Sequence, residues 1–68
     1  MTMSPQTKTD KPKGRALVVE DEPNIRELVS LHLGLEGLQV TTAGDGEAGL
    51  RLVRAEPFDV VVLDLMLP

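Results

Sequence analysis

The stretch "ALVVEDEPNIREL", residues 16–28, carries three signals in order: an aliphatic run, three consecutive acids, and a proline that opens a helical pattern. The run reads as a strand, because uninterrupted Val and Leu suit a position covered on both faces of a sheet. Pro23 suits the first turn of a helix, where its missing N–H is a donor that would be unsatisfied anyway. Between them Glu20, Asp21 and Glu22 crowd three negative charges into the strand-to-helix turn. Unit charges about 4 Å apart repel by about 4 kcal/mol at an effective dielectric of about 20. Either something offsets that repulsion or the acids point into water.

Working outward, "RALVV" (15–19) is the expected first strand and residues 23–36 the expected first helix. Ile25, Leu28, Val29, His32 and Leu35 recur at helical spacing, and Gly37 stands just past the end. "LQVTTA" (38–43) alternates, as a strand with one wetter face does. Residues 46–56 read as a second helix with Asp45 as N-cap and Pro57 as its stop. "FDVVVLD" (58–64) reads as a third strand. The alternation of strand and helix implies a parallel sheet with right-handed crossovers, an α/β fold. The first and third strands are near-continuous aliphatic runs, whereas the second alternates like an edge strand. That favours the strand order 2-1-3, with the first strand in the middle. The third strand would then be an edge, yet Val60 to Leu63 has none of the charges that blunt edges. A fourth strand is therefore expected, and the chain reads as the front part of a larger α/β domain.

Composition narrows the function classes. At 68 residues the chain is below the usual domain size of about 100 to 150. Residues 1–14 are rich in Lys, Thr and Pro without apolar periodicity, and are expected to be a disordered tail preceding a partial domain over 15–68. No apolar segment follows the early basic residues as a secretory signal requires, and Val60 to Leu63 is far too short to span a bilayer. A cytoplasmic location and no membrane contact are expected. With no cysteine, disulfides and thiolate metal sites are excluded. Residues 1–15 carry Lys8, Lys11, Lys13 and Arg15 against Asp10, a net of +3, while residues 16–68 carry three Arg against ten acids, a net of −7. Such an acidic body lacks the clustered bases that phosphate contact needs, so nucleic acid is not its direct partner.

The order 2-1-3 sets the ends of the first and third strands about 4.8 Å apart. Glu20 and Asp21 then lie beside Asp64, at the switch point where α/β sheets place their ligands. Converging carboxylates there point to a hard divalent cation, Mg²⁺ above all. Glu22 is better explained as an acid favouring the helix dipole. A rival site is "GDGEAG" (44–49), in which Gly44, Gly46 and Gly49 satisfy a nucleotide-binding pattern after a strand. Asp45 would set a carboxylate against a pyrophosphate, so a turn with Gly49 packed tightly on the sheet is preferred. His32, on the apolar stripe, is expected at the core or its boundary. Leu65, Met66 and Leu67 are expected to begin a loop that packs back on the domain.

Taken together, "LVVEDEPNIRELV", "AGDGEAGL" and "DVVVLDLMLP" resemble the first half of a receiver domain of bacterial two-component response regulators. The resemblance spans residues 15–68 and is closest to the branch whose receivers precede a winged-helix DNA-binding domain. It implies a flavodoxin-like doubly wound parallel sheet in the order 2-1-3-4-5, truncated here to β-α-β-α-β. It implies that Asp64 accepts a phosphoryl group from a sensor histidine kinase. Glu20 and Asp21 match the acidic pair that binds Mg²⁺, Asp21 directly and Glu20 through water, and Met66 matches the position whose backbone carbonyl completes the metal shell. It further implies a signalling module rather than an enzyme, regulation of transcription through a separate DNA-binding effector domain, and dimerisation of the full-length protein. The family's later elements would lie beyond Pro68, and with them the hydroxyl residue and the lysine that contact the phosphoryl group. An alternative, an aspartate-nucleophile phosphatase or phosphotransferase, usually shows a second acid two residues after the nucleophile; here Met66 stands there.

Overall fold

The computed structural model of the protein describes residues 13–64, with side chains through Leu63. Most of the expected tail, together with Leu65, Met66 and Leu67, lies outside the described residues. The elements run β1 (Gly14–Glu20), α1 (Pro23–Leu35), β2 (Leu38–Ala43), α2 (Gly46–Ala55) and β3 (Val60–Asp64). The sheet is parallel and ordered β2-β1-β3, as the contrast between aliphatic and alternating strands predicts. Because β2 and β3 flank β1, the two crossovers run in opposite directions, which sets α1 and α2 on opposite faces. Leu17, Val19 and Ala43 pack under Ala48 and Leu52 of α2 and under Phe58. β1 is the axis of the molecule: Ala16, Leu17, Val18 and Val19 are all buried.

Several boundaries differ from the sequence reading, each for a local reason. β1 begins at Gly14, one residue early, because Lys13 N–H donates to the Gly37 carbonyl (2.9 Å) and draws the chain into the sheet. Gly37 itself has φ 94°, the left-handed conformation that glycine adopts cheaply after a helix. β3 starts at Val60 rather than Phe58. Asp59 turns its carboxylate back to accept from Arg15 N–H (2.8 Å) while its own N–H donates to the Arg15 carbonyl (2.8 Å). Arg15 also pairs with Glu56 and lies 5.2 Å from the centre of the Phe58 ring, which ties the start of β1 to the α2–β3 link.

The stripe expected on α1 is corrected. None of its residues is buried, and the half-buried positions are Arg26, Val29, Ser30 and Leu33. Ile25, Leu28 and His32 are exposed, and Leu35 is 77% exposed. The helix is apolar around much of its circumference, so periodicity alone does not select the face that meets the sheet. His32 is therefore a surface residue. α2 follows expectation: Asp45 caps it by accepting from Ala48 N–H (2.8 Å), and Gly49 is buried against the sheet. A Cβ at Gly49 would sit 2.7 Å from Val19 Cγ2. That close approach accounts for the third glycine of the 44–49 motif without a nucleotide.

Two outcomes follow from this packing. By helix propensity alone, Gly49→Ala would stabilise by about 1 kcal/mol. Overpacking against Val19 costs typically about 1–3 kcal/mol, so a net loss is expected, recovered in part by adding Val19→Ala. Denaturant titration of the full-length variants measures the sign. Second, residues 1–68 expressed alone are expected not to fold as a stable monomer. Val60, Val61 and Leu63 leave the β3 edge open, Leu63 being 66% exposed, and so few buried residues do not offset the ordering cost of about 1.5 kcal/mol per residue. Slow hydrogen exchange across residues 16–19 and 60–63 in a proven monomer would overturn that.

Candidate functional site

The acidic run at the end of β1 divides into three environments. Glu20, the last residue of β1, is 1% exposed, and its Oε2 accepts from Glu22 N–H at 2.9 Å. Asp21 is exposed in the turn. Glu22 is the N-cap of α1: its Oε1 accepts from Asn24 N–H (3.0 Å) and Ile25 N–H (3.1 Å), satisfying donors that the first helical turn leaves open. The helix-terminal role expected of Glu22 thus takes the form of a cap. The local sequence explains the division. β1 runs straight until Glu20, Pro23 starts the helix three residues later, and Asp21 is left at the apex.

Registry brings the third acid in. β1 and β3 pair from Ala16 opposite Val60 through to Glu20 opposite Asp64, so the two acids are direct neighbours at the carboxyl end of the sheet. The side chain of Asp64 and all of Met66 lie outside the described residues. Among the described residues no group of three or more His, Cys, Asp or Glu side chains is placed to hold a metal. Glu20 and Asp21 nevertheless supply carboxylate oxygens of the kind a hard cation takes, one oxygen of Glu20 being already oriented by the Glu22 N–H.

Gly44, Gly46 and Gly49 do not converge on a ligand. Gly49 faces Val19, while Gly44 faces Arg26, whose Nη1 would stand 3.1 Å from a Cβ at that position. Arg26 is the residue the sequence reading passes over. Its Nη1 donates to the Glu20 carbonyl at 2.9 Å, joining α1 to the end of β1. Its signal is that it is the sole Lys or Arg between residues 16 and 50, one helical turn past the acidic run.

On the opposite side of the sheet from α1, an open apolar groove is lined by Leu17, Val19, Leu50, Val53, Val61 and Leu63. It holds no titratable side chain and offers no chemistry. Among the described residues no helix is long and apolar enough to cross a membrane.

The chain is similar to known regulators over these same elements. It is 47% identical over 57 residues to the transcriptional activator protein PfeR of Pseudomonas aeruginosa, covering 84% of this chain and 19% of PfeR. It is 54% identical over 52 residues to the probable transcriptional regulatory protein TcrX of Mycobacterium tuberculosis, covering 76% of this chain and 22% of TcrX. The chain thus spans about a fifth of the length of these relatives. Among solved structures it superposes on the response regulator TrrA of Thermotoga maritima, crystallised in complex with Mg(2+)-BeF. The TM-score is 0.74 at 46% identity, covering 79% of this chain and 47% of TrrA. The model of the response regulator receiver domain matches residues 16–68, so strand order, acidic strand ends and sequence agree, and the chain belongs to the response regulator receiver domain family.

Proposed function

We propose that this chain is the phosphoacceptor part of a two-component signalling protein, with Asp64 as the residue that receives the phosphoryl group. The observation that carries the proposal is the register of Glu20 with Asp64 at the end of two paired parallel strands. Glu20, Asp21, Asp64 and the Met66 carbonyl would hold Mg²⁺, Asp21 directly and Glu20 through water. When bound, the metal neutralises charge on the attacking and transferring oxygens. A beryllium fluoride group has the shape and charge of a phosphoryl group, so the Mg(2+)-BeF complex of TrrA supports this reading.

The transfer itself needs little from the protein beyond placement. An oxygen of the Asp64 carboxylate attacks phosphorus, and an O–P bond forms as the N–P bond to the kinase's phosphohistidine breaks. The bonding electrons leave with the imidazole nitrogen, and the product is an acyl phosphate. The kinase, DNA binding through an effector domain and dimerisation belong to the full-length protein. Its names among relatives, a transcriptional activator and a transcriptional regulatory protein, support an output in transcription.

Two measurements test the site. In the full-length protein, acetyl phosphate with Mg²⁺ is expected to label Asp64 alone, leaving Asp59 at the far end of the same segment unmodified. Trapping the adduct and mapping it by mass spectrometry to another residue would refute the assignment. Mg²⁺ titration followed by NMR is expected to show that Asp21→Ala loses more affinity than Glu20→Ala. Loss of an indirect partner such as Glu20 costs about tenfold or more. Equal affinity in wild type and Asp21→Ala would remove Asp21 from the metal shell.

A further inference from the structure

We infer that Arg26 is a positioning residue for the acidic turn, and that it sets the Mg²⁺ affinity of the site without touching the metal. The inference rests on the metal-site reading proposed above.

The β1–β2 ladder closes at Val19 opposite Ala43. Continuing that register would set Gly44 beside Glu20, but β2 ends at Ala43 and the chain turns away toward Asp45, the cap of α2. Arg26 reaches into that place from α1. Its Nη1 donates to the Glu20 carbonyl at 2.9 Å and lies where a Cβ on Gly44 would meet it at 3.1 Å. A side chain from the helix thus takes over where the neighbouring strand leaves off. The carbonyl it holds belongs to the peptide joining Glu20 to Asp21, so fixing it fixes the plane from which Asp21 departs. The same turn is gripped from the other side, since Glu22 N–H donates to Glu20 Oε2 and Glu22 caps α1. Arg26 is half-buried, and the Arg26 carbonyl accepts from the Ser30 hydroxyl at 2.7 Å, adding a second hold on this turn of the helix.

Charge and geometry predict opposite signs here. A guanidinium near a cation site repels the cation, so if charge governed, removing Arg26 would tighten Mg²⁺ binding. If positioning governs, removing it loosens binding, as loss of an outer-shell partner commonly does by about 10- to 100-fold.

The test uses the full-length protein as wild type, Arg26→Met and Arg26→Lys, with Mg²⁺ affinity read by NMR titration and the denaturation midpoint read alongside. Met keeps the packing of the aliphatic stem and removes the donor. Lys keeps a donor and the charge. Arg26→Met is expected to bind Mg²⁺ about tenfold more weakly with its denaturation midpoint near that of wild type, as an outer-shell role requires. Arg26→Lys is expected to recover most of the loss. Unchanged or tighter binding in Arg26→Met, equal loss in both variants, or failure of Arg26→Met to fold would each overturn the positioning role. A wild-type protein that binds no Mg²⁺ would instead defeat the metal-site reading itself.

Discussion

In a parallel sheet every strand ends on the same side, so acids placed at the ends of adjacent strands are forced to meet. β1 obeys that constraint twice, pairing with β2 on one edge and β3 on the other. Its burial from Ala16 to Val19 fixes its place in the middle, and the register then leaves no freedom about which residue faces Asp64. Glu20 is carried there as the continuation of the most buried segment of the molecule. A carboxylate in such a place is costly unless it is hydrogen-bonded or paired. The Glu22 N–H, donating to Glu20 Oε2, meets part of that cost.

The acidic tripeptide illustrates how one run of like charge is resolved by geometry. Strand alternation and the helix start rotate three successive side chains into three settings: interior, apex and helix cap. The apex residue, Asp21, is the most exposed of the three. The capping acid commits its Oε1 to two helix donors. The run is therefore less repulsive than its spelling suggests.

Much of this was legible in the residues. The aliphatic contrast between "LVV" and "LQVTTA" is a direct consequence of which strands have neighbours, so it reports strand order. Pro23, Asp45 and Gly37 act through local backbone chemistry and read true at their positions. The orientation of α1 was not legible, because a helix with apolar residues on two faces leaves the choice to tertiary contacts, and His32 fell on the wrong one. The start of β3 was misread because Asp59 uses its side chain to imitate a ladder partner. Arg26 was overlooked for a related reason: a long side chain replacing a strand leaves no periodic trace. That Glu20 and Asp21 lie near Asp64 is foreseeable from strand order; the register that pairs Glu20 with Asp64 is not, because strand order leaves a slip along the ladder open.

The register also bears on the order of assembly. Gly14 meets Leu38, 24 residues along the chain, whereas Ala16 meets Val60, 44 residues along. Closing the longer loop costs more entropy, though by less than the about 0.6 kcal/mol that a full doubling adds. The β1–α1–β2 unit can thus form while Asp64 is still distant, and with it the cap at Glu22 and the grip of Arg26 on the turn. Glu20 and Asp21 can thus be in place before Asp64 arrives. The residue proposed to undergo chemistry can then join a frame already in place.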